Sequence, residues 1–128
     1  MRWMPAMALV AGCLIIAVAA SFMFPLHAFA AERCDITGTA SYYGFEHHGR
    51  RTASGAVFDQ WAMTAAMPSR KHLGERWRVT YRGKSVVVTI TDLGPHKRLG
   101  RAIDLSRGAA AQLGMIEAGV GQVCLKHL

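Results

Sequence analysis

The sequence predicts a mainly β domain, a small barrel of about six short strands with one or two short helices. Three observations carry this prediction. Short apolar, β-branched runs with period-two alternation recur along the chain, bounded by Gly, Pro, Ser and Asp. Arg82-Gly83 sits between two such runs as a two-residue hairpin turn. Only one stretch, after Ser106, reads as a capped helix.

The elements follow in order. Residues 1–30 read as an export signal: Arg2 is a minimal basic start, Met7 to Phe24 is apolar and uncharged, and Ala28-Phe29-Ala30 has the small-x-small cleavage pattern. Two other readings stand beside it. One is an uncleaved anchor, since a span needs about 20 apolar residues. The other is lipidation at Cys13, in the box-like Val10-Ala11-Gly12-Cys13. With cleavage the mature domain is residues 31–128, without a membrane span and expected to be monomeric, in the periplasm or secreted.

Ile36 to Tyr43 alternates as a strand, Met63 to Ala66 is a short buried one, and Arg76 to Tyr81 pairs with Lys84 to Thr91 across the hairpin turn. Along the last of these, Val86, Val88 and Ile90 face one side and Val87 and Thr89 the other. Ala102 to Leu105 is a strand leading into Ser106, the N-cap of a helix from Arg107 to Leu113 that Gly114 ends. Val120 to Leu125 is the closing strand.

Removing residues 1–30 of the 128 leaves 98, enough for one small core. Two of the three cysteines, Cys34 and Cys124, lie near its ends, where an oxidising compartment favours a disulfide over a metal site. No metal and no cofactor is expected. The formal charge of +7 falls to +6 with the loss of Arg2, a surface suited to anionic polymers. Export argues against nucleic acid as the partner.

Chemistry concentrates in two blocks, Ala40 to Asp59 (ASYYGFEHHGRRTASGAVFD) and Thr89 to Met115 (TITDLGPHKRLGRAIDLSRGAAAQLGM). The first carries paired tyrosines, a Gly-Arg-Arg turn and Asp59. The second ends a β-branched strand in Asp92-Leu93-Gly94-Pro95, placing a carboxylate at a strand end before a turn. Of Tyr42 and Tyr43, alternation allows one to face a groove while the other enters the core.

From about Gly38 to Met115, these blocks resemble the double-psi β-barrel domain of the rare lipoprotein A family. Its members are bacterial cell-wall lytic transglycosylases similar to the barrel domain of plant expansins. The resemblance implies the double-psi topology, and peptidoglycan glycan strands as the partner. It also implies cleavage between N-acetylmuramic acid and N-acetylglucosamine in which the sugar's own 6-hydroxyl, rather than water, attacks the anomeric carbon. Asp92 matches the catalytic aspartate of the family's Asp-x-Gly-Pro turn, and Asp59 a second retained carboxylate.

Tyr43, His48, Arg50, Arg51 and Pro95 are the expected substrate contacts; Tyr43 is expected to stack on a sugar face and the arginines to hold acetamido or lactyl-peptide groups. Asp104 also fits the family pattern but reads as structural, a carboxylate just before a helix that engages backbone amides. The chain departs from the pattern at two positions: Ala56 stands where the family has Glu, and Met67 where it has His after Thr64-Ala65-Ala66. His47, His48 and Glu46 are the nearest replacements. An acid catalyst must carry its proton part of the time; the apolar strand before Asp92 favours that role, and Arg98 or Arg101 turned inward would oppose it.

These departures keep a second reading open, an expansin-like glycan-binding module without covalent chemistry. A third, a secreted inhibitor on a barwin-like barrel, fits the two-cysteine pattern less well.

Overall fold

The computed structural model describes residues 32–95 and 100–128, together with Gly12. The export signal, Cys13 and Arg98 lie outside the described residues. Six strands form a closed barrel: β1 (Ile36–Tyr43), β2 (Thr64–Met67), β3 (Arg76–Tyr81), β4 (Lys84–Leu93), β5 (Arg101–Ser106) and β6 (Val120–His127). They close in the spatial order β1-β5-β2-β4-β3-β6. The β1/β5 and β2/β4 pairs are parallel and the remaining pairs antiparallel.

Local chemistry accounts for the elements. Arg82 and Gly83 both adopt positive φ, 45° and 80°, the twist that a two-residue hairpin turn requires between β3 and β4. The single α-helix, α1 (Arg107–Leu113), starts at Ser106, whose side chain accepts the Ala109 N–H, and stops at Gly114 in the left-handed region. Two 3₁₀ turns, Phe45–His47 and Arg70–His72, lie in the connections. Among the described residues no helix is long and apolar enough to cross a membrane.

Alternation fills the barrel. Val79, Val88, Ile90, Ile103, Leu105 and Leu125 are fully buried inside it, with Leu113 and Met115 packed on the same cluster. Burying each such side chain stabilises by about 1.5–3 kcal/mol. Cys34, just ahead of β1, is bonded to Cys124 on β6 with their Cα atoms 5.2 Å apart, which ties the two ends of the domain together. A smaller cluster of Tyr43, Phe58 and Ala66 packs separately from this core. It fixes the long β1–β2 connection against the barrel wall.

Two irregularities in register matter more for function than the regular strands do. Ala65 of β2 opposes Ile90 of β4, yet Ala66 opposes Asp92, so Thr91 is an extra residue on β4. Thr39 of β1 opposes Arg101 of β5, yet Ala40 opposes Ile103, so Ala102 is extra on β5. A bulge of this kind turns the following side chain to the other face. Strict alternation from Val86, Val88 and Ile90 would drive Asp92 into the core; the bulge at Thr91 sends it outward beside Ala66.

Candidate functional site

Across four neighbouring strands, Ser41, Asp104, Ala66 and Asp92 stand in one register row. Register partners point to the same face of a sheet, so both carboxyls flank the small Ala66 side chain. Their backbones are two strand spacings apart, about 10 Å. Above this row opens a cleft lined by Tyr43, His47, Ala66, Asp92, Leu93 and Asp104, with a cavity volume of about 120 Å³.

Each carboxyl is held differently. Asp92 Oδ1 accepts the backbone N–H of Ala53 at 3.0 Å and of Leu93 at 2.9 Å, so it ties the β1–β2 connection to the end of β4. Asp104 Oδ1 accepts the Ser41 hydroxyl at 2.9 Å. Burial pushes the Asp104 carboxyl above the usual aspartate range, against the Ser41 hydrogen bond and the positive charges of Arg101 and His47, while Glu46 adds a small upward push. Arg101 thus acts on Asp104. Asp104 was expected to engage backbone amides; among the described residues its hydrogen-bond partner is instead the Ser41 hydroxyl, and its side chain lines the cleft.

Tyr43 and Tyr42 divide as alternation requires. Tyr42 packs on the barrel core and donates its hydroxyl to the Ile116 carbonyl at 2.8 Å. Tyr43 enters the cleft, but not as an open stacking platform. Its ring is stacked on Phe58 at 4.6 Å between centroids and meets His47 edge-on at 5.6 Å. Its hydroxyl, close enough to feel the charges of Asp92 and Asp104, is buried without a hydrogen-bond partner among the described residues. Burial, then the charges of Asp92 and Asp104, push the phenol well above its ordinary range, so it stays a donor.

The other expected residues fall around the cleft rather than in it. Asp59 is exposed, and its Oδ1 accepts the Trp61 N–H at 2.9 Å, closing a local turn outside the lining. His48 is turned from the cleft: its Nδ1 accepts the Gln60 N–H at 3.2 Å, and His47 takes the position that sequence reading gave to His48. Arg51 is exposed and donates to the Gly55 carbonyl, and Arg50 is exposed beside it, with its carbonyl accepting the Phe58 N–H. Pro95 is buried directly after the turn, where Gly94 adopts a φ of 137° that favours glycine. Met67 is 2% exposed and packs in the barrel core, opposite in direction to Ala66.

Sequence reading therefore missed Asp104 as a cleft residue, and of the two histidines it named as replacements it put His48 rather than His47 among the substrate contacts. One signal for Asp104 was available. It lies between Ile103 and Leu105, two core positions, so it must face away from the core, and only the strand order brings it beside Asp92.

The closed six-stranded barrel of mixed strand direction belongs to the double-psi β-barrel class. A family model described as "Lytic transglycolase" matches residues 35–125, and the chain belongs to that family. It is 51% identical over 90 residues to a "Probable endolytic peptidoglycan transglycosylase RlpA" of Synechocystis sp., covering 69% of this chain and 27% of that protein. It is 42% identical over 102 residues to the "Endolytic peptidoglycan transglycosylase RlpA" of Pseudomonas aeruginosa, covering 78% of this chain and 29% of that protein. The chain thus spans less than a third of the length of these relatives. Among solved structures it is similar to the Streptomyces papain inhibitor, with a TM-score of 0.60 and 25% identity over 73% of this chain and 93% of that one. The Clavibacter michiganensis expansin, with a TM-score of 0.57 and 23% identity over 72% of this chain and 49% of that one, shares the fold.

Proposed function

We propose that this chain is an exported lytic transglycosylase that cleaves the N-acetylmuramic acid–N-acetylglucosamine links of peptidoglycan strands, leaving 1,6-anhydromuramic ends. The observation that carries the reading is the pair Asp92 and Asp104 flanking Ala66 in one cleft, within a chain of this family. The Cys34–Cys124 disulfide supports an oxidising compartment such as the periplasm, with residues 1–30 as the signal that delivers a monomeric domain there.

The chemistry follows from the two environments. Asp104, whose protonated form burial favours, gives its proton to the glycosidic oxygen as the bond to the anomeric carbon breaks. The 6-hydroxyl oxygen of the same muramic residue bonds to that carbon, and its proton passes to the Asp92 carboxylate. One proton is given and one taken, no water is consumed, and exchange with solvent restores both groups. Asp92 keeps its position through the Ala53 and Leu93 amides, which engage only Oδ1. Asp59 has no part in this scheme.

The test is to incubate the domain with intact and stem-peptide-free sacculi and weigh the products. Anhydromuramic ends are expected from the native chain and not from Asp104→Asn. No such product at high protein concentration sinks the proposal.

A second reading is supported by Ala56 and the core-packed Met67, which leave no carboxylate or imidazole at two positions where the family has them. On that reading the cleft binds glycan without cutting it. Sedimentation with sacculi that survives Asp92→Asn, together with no released sugar, favours it.

A further inference from the structure

The one cleft group with no partner and no role in the proton transfers is the Tyr43 hydroxyl. It is buried without a hydrogen-bond partner among the described residues, on a side chain only 8% exposed. Stacking on Phe58 and the edge contact with His47 fix the ring, so the hydroxyl cannot swing away to water. A buried hydroxyl left unmatched in a fixed position is a costly feature unless a ligand completes it.

What completes it is constrained by its neighbours. Asp92 supplies an acceptor, the phenol supplies a neutral donor, and Ala66 and Leu93 supply an apolar surface beside them. A group that fits must accept from Tyr43, donate to a carboxylate and present a small apolar end. A hydroxyl meets the first two demands and leaves the apolar surface bare. A secondary acetamide meets all three within one planar unit.

We propose that Tyr43 is the specificity residue of the cleft, donating its hydroxyl proton to the carbonyl oxygen of a sugar N-acetyl group whose methyl rests against Ala66 and Leu93. The assignment rests on the reading of the cleft as a glycan site. On a 2-acetamido sugar the amide is borne by the carbon next to the anomeric carbon, so anchoring it sets the glycosidic oxygen beside the carboxyl pair. Burial and the neighbouring charges raise the phenol's affinity for its proton, which keeps the donor in place across the working pH range.

The experiment compares binding of a chito-oligosaccharide, which carries N-acetyl groups, with a cello-oligosaccharide of equal length, which carries hydroxyls there. Chemical-shift titration of the native chain and of Tyr43→Phe gives the affinities, and a thermal melt of each checks the fold. The native chain is expected to prefer the N-acetylated oligomer. Tyr43→Phe keeps the ring and its stacking, should melt no lower, and should weaken chito-oligosaccharide binding by about five- to tenfold, the range expected for one neutral hydrogen bond, with cello-oligosaccharide binding unchanged. Equal affinity for the two oligomers, binding of neither, or a preference that survives Tyr43→Phe overturns the assignment. Anhydromuramic release from sacculi is measured separately, so a chain that cuts glycan without this preference loses only the Tyr43 role. A chain with the preference but no cutting loses only the lytic reading.

Discussion

Replacing Asp104 by Asn separates the two roles a carboxyl can play in this cleft, since the change removes a charge and little else. Asparagine keeps Oδ1 as an acceptor for the Ser41 hydroxyl, the hydrogen bond that holds this side chain in place. What disappears is the cost of ionising a half-buried group. Burial raises the folded pKa above the ordinary aspartate value that applies to the unfolded chain. Between those two values the native state binds more protons than the unfolded state, so stability falls as pH rises through that window and stays lower above it. The Ser41 hydrogen bond and the Arg101 and His47 charges offset part of that cost, and burial remains the larger effect.

Asp104→Asn should therefore raise the melting temperature at pH 7, and the gain should vanish below the unfolded pKa. Loss of a general acid should lower anhydromuramic release by about a hundredfold or more. The assay is a pair of calorimetric melts at low and neutral pH, run beside a sacculus digest. A lower melting temperature at pH 7, or full activity, would show that the charged form of Asp104 serves the fold and would refute the reasoning.

Three further outcomes follow from the same geometry. Asp92→Ala deprives the Ala53 and Leu93 amides of their acceptor and should cost about 1–3 kcal/mol in chemical denaturation, whereas Asp92→Asn, which keeps Oδ1, should cost much less while still abolishing cleavage. Ser41→Ala removes the hydrogen bond that favours ionised Asp104, so the basic limb of the pH–activity profile should move to higher pH; a shift to lower pH would contradict the assignment of the acid. Replacing both Cys34 and Cys124 with Ser opens a crosslink between residues 90 apart in sequence, with an expected loss of about 4–5 kcal/mol on the chain-entropy account, measured as a lowered denaturation midpoint.

The strands and the helix were legible because their signals are local. Ile36–Tyr43, Arg76–Tyr81 and Arg107–Leu113 fall where alternation, the Arg82-Gly83 turn and the Ser106 and Gly114 caps put them. Other boundaries moved by one or two residues: β2 is Thr64–Met67 rather than Met63–Ala66, β5 gains Arg101 and Ser106, and β4 runs on to Leu93 and β6 to His127. The disulfide was legible too, from two cysteines near the two ends of the domain. Asp92 stood out by its place before Gly94-Pro95.

The make-up of the cleft was a tertiary matter. The extra residue at Thr91 that turns Asp92 away from the core leaves no mark in a strand whose alternation reads cleanly through Ile90. Asp104 joins Asp92 only because β2 is inserted between β4 and β5, a pairing set by crossovers that a linear pattern does not encode. Tyr43 was chosen for the ring, yet Phe58 covers the ring and leaves the hydroxyl. His47 and His48 are adjacent and alike in sequence, and the direction of one 3₁₀ turn decides which faces the carboxyls. Local propensity and alternation act over a few residues, so the sequence alone determined the elements and which faces of them are apolar. Which polar groups meet depends on register and on contacts between residues tens of positions apart, and only the closed barrel decided that.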